Sequence, residues 1–251
     1  MTKKELKEYL DFKSEAFNNT AFIEDDPISI PHLFTAPKDI ESIGFIMATI
    51  SWGQRKTIIK NGHQLIDIMG HSPYDFIMNA SEQDLKSIEF VHRTFNADDL
   101  RFFILGLRDV YQKNENGLEI AFGNGPTMAE RIYGFRQAMF ETNHEKRSEK
   151  HVSNPLSGSA SKRINMYLRW MVRQDNKGVD FGIWKSIEPA ELYIPLDVHT
   201  GNVARKLGLI KRKANDWKAL EELMVHLRKF DPVDPCKYDY ALFGLGVTGE
   251  I

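Results

Sequence analysis

Along most of the chain, apolar residues recur three and four positions apart, which lines their side chains up on one face of an α-helix; the alternation of a half-buried strand is almost absent. The pattern predicts an all-α protein. A first helix over residues 3–17 puts Leu6, Leu10 and Phe17 on one side, and the prolines of the following loop, EDDPISIPHLF, keep it irregular. Residues 40–51, IESIGFIMATIS, are apolar nearly all round and predict a buried helix. QRKTIIKNGHQLIDIMG turns Ile58, Ile59, Leu65, Ile66 and Met69 inward and stops at Gly70. SPYDFIMN and SEQDLKSIEF predict short helices capped by Ser72 and Ser81. NADDLRFFILGLRDVYQKN predicts a long amphipathic helix, and PTMAERIYGFRQAMFETN another with Pro126 in its first position. The long irregular stretch after residue 37 is 173–196, and segments of that length are usually functional or disordered.

From residue 146 onward the pattern changes. A basic loop, KRSEKHVSNP, leads to small residues at 156–160, which predict a tight turn, and then to a helix over 161–173 that carries Lys162, Arg163, Arg169 and Arg173. After the irregular stretch comes LDVHTGNVARKLGL, in which Asp197 reads as the N-cap of a helix that turns Val203 and Leu207 inward. A hairpin between two helices aims backbone N–H groups outward at a helix start, an anion site suited to a DNA phosphate.

Composition narrows this reading. The 251 residues are 42% hydrophobic and 27% charged, enough for one large domain or two small ones. No apolar run approaches the roughly 18 residues that cross a bilayer, and the first residues lack the apolar core of a signal peptide, so a soluble cytoplasmic protein is expected. The lone cysteine, Cys236, excludes an internal disulfide and reads as a small buried hydrophobe; the eight histidines form no metal-ligand motif. Net charge is only −2, but residues 146–229 hold 17 Lys and Arg against 9 Asp and Glu, while the other 167 residues hold 16 against 26. Such segregation suggests one face for phosphate, with a solvated face as the plainer alternative.

These motifs resemble a family. LSGSASKRINMYL is similar to the hairpin of the helix-hairpin-helix DNA glycosylases, the superfamily of endonuclease III and the oxidised-guanine glycosylases, and PLDVHTGNVARKLGL is similar to their Val-Asp-x-His stretch. ATISWGQRKTIIKNG resembles the segment in which those enzymes carry a glutamine that enters the DNA stack, and ALEELMVHLRKFDP with YALFGLGV resembles their final helices. The whole chain is also similar to an uncharacterised bacterial family.

The resemblance places Lys162 on the nucleophilic lysine and Asp197 on the catalytic aspartate, with Arg163 as the adjacent cation. Such a carboxylate stabilises an oxocarbenium-like sugar, and a deprotonated lysine attacks C1′ to give a Schiff base. Gln54, Ser157, Gly158, Ala160, Arg163, Arg169 and Lys150 become expected DNA contacts, with Arg169 and Arg173 on the outer face of their helix. Trp52, Trp170, Phe181, Trp184 and His199 become a candidate base pocket, although aromatics at helical spacing are more often core and His199 also suits a backbone partner at its own helix start. The chain departs from the family pattern in Ser157, Ser159 and Ala160, where a left-handed turn at Ala160 would be strained. It also departs in the 35 residues separating Lys162 from Asp197, a spacing closer to the archaeal oxidised-guanine glycosylases, and in lacking the C-terminal cysteine cluster, so no cofactor or iron–sulphur centre is expected.

The resemblance therefore implies a two-lobed all-α fold: residues 1–36 with 198–251 as a terminal lobe, and residues 37–197 as a central lobe carrying the hairpin at 156–162 and the insert at 173–196. The N-terminal helix is expected to pack with the C-terminal ones, and the site to lie in the groove between the lobes. The expected activity is a monomeric, nucleoid-associated base-excision glycosylase, with or without lyase activity, on double-stranded DNA holding a damaged or abasic nucleotide. A non-catalytic DNA binder with the same fold and an enzyme acting on a nucleoside remain the alternatives.

Overall fold

A computed structural model describes residues 1–114, 117–123 and 125–251. α1 (Lys3–Phe17) opens with a capping box in which Thr2 and Glu5 exchange hydrogen bonds, and a short α2 (Ala21–Glu24) follows. The proline-rich loop contains two 3₁₀ turns, Pro27–Ser29 and Pro31–Leu33. α3 (Pro37–Ile50) is buried throughout residues 40–50, as its all-round apolar surface predicts, and α4 (Arg55–Ile68) gives way to Gly70 at φ +57°. α5 (Pro73–Asn79) starts without a side-chain cap from Ser72, whereas Ser81 and Asp84 form a capping box on α6 (Glu82–Lys86).

β1 (Val91–His92) and β2 (Phe95–Asn96) pair antiparallel as a two-residue ribbon, too short to announce itself by alternation. α7 (Ala97–Lys113), capped by Asn96, and α8 (Leu118–Ala121) come next. α9 (Met128–Phe140) takes Thr127 as its cap, the hydroxyl accepting from the Glu130 N–H. Pro126 therefore stands outside the helix rather than in its first position, because threonine supplies the acceptor that proline lacks. α10 (Lys162–Val172), α11 (Val198–Lys206), α12 (Trp217–Phe230) and α13 (Tyr238–Thr248) complete the chain.

These elements form two compact units, Met1–Ile23 with Pro155–Ile251, and Glu24–Asn154. The hairpin, α10 and the 173–196 insert thus belong with the two termini, and the division falls at 154/155 rather than 197. The physical reason is that α10 finds its packing partners in the insert and α13. In the first unit α1 and α11 both pack on α13. Gly244 permits the approach of α1, since a Cβ there would come within 2.4 Å of the Phe17 ring. Ser14 Oγ donates to the Lys237 carbonyl (2.6 Å) and Tyr238 Oη to Asp11 (2.8 Å) across the same contact. In the second unit an aromatic core forms around Phe45, which lies 5.0 Å from Phe135 and 5.8 Å from Phe103 between ring centroids.

The insert is a packed cover. The Phe181 N–H donates to the Trp170 carbonyl (2.8 Å) and the Trp184 N–H to that of Met171 (2.9 Å), while Val179, Trp184, Ile187, Leu192, Ile194 and Leu196 are buried. Among the described residues no helix is long and apolar enough to cross a membrane.

Candidate active site

The hairpin begins with a 3₁₀ turn, Pro155–Ser157, closed by the Gly158 N–H donating to the Pro155 carbonyl (2.9 Å). Gly158 takes φ +91°, where any side chain would be strained. The second reversal falls not at Ala160, which is buried, but at Ser161, whose φ and ψ of 47° and 39° are left-handed. The Asn165 amide holds the Ala160 carbonyl (3.0 Å) and the Ser161 N–H donates to Ser159 Oγ (3.1 Å), which passes the turn on by one residue. Ser157 and Gly158 remain exposed.

α10 then starts with Lys162. Its Nζ lies 3.2 Å from Asp197 Oδ2, bringing together two side chains that are 35 residues apart in sequence. Asp197 Oδ1 meanwhile accepts from the Thr200 N–H (2.9 Å), so one oxygen caps α11 and the other faces the lysine. The Asp197 carbonyl accepts from the Asn215 amide (2.9 Å), which fixes the cap from a third segment. The pair is partly open: the lysine side chain is 37% exposed and the aspartate 13%.

Further along the same helix the cations change character. Arg169 and Arg173, expected on an outer face, are buried. Arg169 pairs with Asp180 of the insert (3.2 Å) and with Asp239 of α13; Arg173 pairs with Asp180 (3.1 Å), Asp234 (2.9 Å) and Asp175 (2.8 Å). Burial opposes the charge on Arg173, but Asp180 and Asp234 outweigh it and hold the guanidinium charged. Burial raises the Asp239 carboxyl to about 6 against the pull of Arg169, and the neighbouring Asp197 charge adds to the rise. Arg169 is therefore a structural cation, and its expected role as a phosphate contact is withdrawn.

The remaining candidates separate in the same way. Trp170 is fully buried and Trp184 nearly so, Trp184 lying edge-on to Tyr167 at 5.3 Å; both are core, not pocket. Phe181 is part-buried against the end of α10. Arg163 is part-buried, and desolvation pushes its guanidinium down to about 10, still charged at neutral pH. Among the described residues the His199 ring has no backbone partner at its helix start; it is exposed and lines a shallow cavity of about 340 Å³ with Asn202, Arg205, Lys206 and Gly246. Trp52, Gln54 and Lys150 belong to the second unit. There Trp52 packs edge-on to His92 (4.8 Å) and beside His151 (5.8 Å), Gln54 is exposed at the start of α4, and Lys150 is exposed in a 3₁₀ turn, Lys146–His151.

Asn215, Arg205, Asp180 and Asp239 were not signalled by motif. The only trace of Asp180 and Asp239 in the sequence is the acid needed somewhere to offset a helix with four cations, in the insert and in the DPVDPCKYDY run; Arg205 lies inside the LDVHTGNVARKLGL stretch without being singled out by it, and Asn215 leaves no such trace. A further regularity appears once helix starts are known. Among the described residues, the α-helices with no acid in the first turn are α4, α10, α11 and α12. The first turns of α4, α10 and α12 carry Arg55 and Lys56, Lys162 and Arg163, and Lys218 respectively, where the positive end of the helix dipole disfavours cations by about 0.3–1 kcal/mol each. Among the described residues no group of three or more His, Cys, Asp or Glu is placed to hold a metal ion.

The chain is mostly helical, of the all-α class, and the candidate site is a lysine–carboxylate pair set at two helix starts. By sequence the chain belongs to the family described as protein of unknown function, DUF2400, whose profile matches residues 26–248. No curated protein and no solved structure matches it.

Proposed function

We propose that the protein is a DNA base-excision glycosylase of the helix-hairpin-helix kind with abasic-site lyase activity, Lys162 its nucleophile and Asp197 its carboxylate. The observation that carries this reading is the 3.2 Å approach of Lys162 Nζ to Asp197 Oδ2 across a long insert, with Asp197 held by Thr200 and Asn215. First turns that carry cations instead of acids, at the hairpin and at α4, support an anionic partner. The segment 156–162, whose sequence resembles the family's phosphate-gripping hairpin, presents Ser157 and Gly158 outward, which supports the reading.

In this chemistry the bond from C1′ to the base breaks and its electron pair leaves with the base, which takes up a proton. Asp197 stabilises the positive charge that develops on the sugar. The Lys162 ammonium gives a proton to water and the free amine adds to C1′; a second proton passes from nitrogen to the ring oxygen as the C1′–O4′ bond breaks to give the Schiff base, and loss of a C2′ proton then expels the 3′ phosphate. The lysine must leave its ion pair to react, and its partial exposure leaves it room to do so.

Borohydride reduction in the presence of abasic duplex tests the assignment. The wild type is expected to give a covalent protein–DNA adduct, Lys162→Gln to give none, and Asp197→Asn to fold while losing base excision, because asparagine caps a helix nearly as well as aspartate but carries no charge. An adduct that survives Lys162→Gln makes another residue the nucleophile. Duplex binding without any adduct and without release of a damaged base in the wild type leaves a non-catalytic DNA binder.

A further inference from the structure

With Arg169 and Arg173 buried in ion pairs, a dense cluster of exposed positive charge in the first unit lies in the loop between α11 and α12 and the first turn of α12. Lys211, Arg212, Lys213 and Lys218 are all exposed within eight residues. Arg212 is neutralised by Asp216 (2.6 Å), whose carboxyl that contact holds down at about 2. The ammonium groups of Lys211, Lys213 and Lys218 have no carboxylate partner among the described residues. Like charges held this close repel one another, and the nearby carboxylates are taken up elsewhere, Asp216 by Arg212 and Glu222 by the backbone N–H groups of Lys211 and Arg212.

The loop is nonetheless held rigidly, and by its backbone. Arg205 donates to the carbonyls of Arg212 (2.8 Å) and Ala214 (3.3 Å), and the Glu222 carboxylate accepts the N–H groups of Lys211 (2.9 Å) and Arg212 (3.3 Å). Asp216 caps α12 through the Ala219 N–H (3.0 Å). The hairpin is joined to the same loop, since Ser159 forms a bridge with Asp216 and the Trp217 N–H donates to the Gly158 carbonyl (2.9 Å). Asn215 ties it in turn to Asp197, accepting from Arg205 and donating to the Asp197 carbonyl. All these bonds consume backbone groups or side chains other than the three lysines. The result is a preorganised row of cations fastened to the exposed turn at Ser157 and Gly158, which reduces the ordering cost of binding a polyanion.

We propose that residues 211–218 form a contact surface for the sugar–phosphate backbone of duplex DNA, with Lys211, Lys213 and Lys218 each neutralising a phosphate beside the hairpin. This rests on the DNA reading above. The surface is sequence-neutral, because point charges on flexible stems read phosphate and not base edges.

Fluorescence anisotropy over a salt series, on duplexes with and without a tetrahydrofuran abasic analogue, tests it. Wild-type affinity is expected to fall with salt, and Lys211→Ala/Lys213→Ala/Lys218→Ala to flatten the log–log slope by about three units, equally on both duplexes, with binding weakened about a hundredfold or more at 0.1 M salt. The corresponding triple arginine variant is expected to keep the wild-type slope. Lys3→Ala/Lys4→Ala, which removes exposed charge from α1 of the same unit, is expected to leave it unchanged. A triple alanine variant with the wild-type slope and affinity, or a Lys3/Lys4 variant that flattens it as much, overturns the proposal and leaves the glycosylase reading standing. A wild type that binds neither duplex at low salt overturns both.

Discussion

Lys162 and Arg169 stand on one stripe of α10, seven residues and about 10 Å apart along the axis, and each faces a carboxylate. Around Lys162 the pair is partly solvated, so water can replace either partner and the charges can separate at little cost. Around Arg169 the insert and α13 have removed the water, and a cation or carboxylate left alone there pays the full penalty of burial. The same pairing is thus a reactive group at one end of the helix and a structural clamp at the other, and what separates them is coverage by residues 173–196. Charge pattern alone assigns neither role.

The largest effect expected from this contrast is on stability. Arg169→Ala strands Asp239 in the interior and leaves Asp180 to Arg173 and the Tyr240 hydroxyl, and should cost about 3–5 kcal/mol in urea unfolding, whereas Lys162→Ala should cost under about 1 kcal/mol. Equal costs would erase the distinction between the two ends. The pH dependence sharpens it. Asp239 binds its proton more tightly folded than unfolded, its carboxyl rising from 3.8 to about 6, so the stability it contributes is fully present below about pH 4 and is lost as the pH rises through about 6. Wild type minus Asp239→Asn, measured by unfolding between pH 4 and 7, should therefore decline by about 3 kcal/mol across that window. A flat difference would mean that Arg169 wins over burial.

Smaller effects map the site's own supports. Asp197→Ala should lower stability by about 1 kcal/mol through the lost α11 cap, and Asp197→Asn by much less, as read in the same unfolding experiment. Gly158→Ala should cost about 1 kcal/mol, since φ is +91° but the space for a methyl group is open. Ser161→Gly should gain a few tenths by releasing the left-handed strain, while Ala160→Gly should gain nothing.

Much of this was readable from the sequence where a local rule decides. The first helix ends at Phe17 as predicted, Asp197 caps α11, and Gly70 stops α4, because capping and amphipathic spacing act within one or two turns. The meeting of Lys162 with Asp197 came from the family resemblance and not from any periodicity. What escaped was decided at long range. Arg169 and Arg173 share the stripe of Lys162, so a helical projection puts all three on one face; only Asp234 and Asp239, more than 60 residues on, and Asp180 within an irregular segment, bury the last two. Trp170 and Trp184 fell on the wrong side of the same ambiguity between core and pocket. The shift of the left-handed residue from Ala160 to Ser161 turns on the Asn165 amide, a contact no turn rule anticipates.

The clamp at Asp180 also limits how this chain can vary. Residues 173–196 connect two helices and, judged by length alone, look free to shrink. Yet deleting Asp180 with them would leave two buried guanidinium groups short of a shared counter-ion. Shortening is therefore a coupled event: a descendant that trims the segment must also replace Arg169 and Arg173 with apolar residues, in the same step or beforehand. Positions 169, 173 and 180 should accordingly change together across the family, arginines accompanying long segments and apolar residues short ones, while position 162 follows none of them.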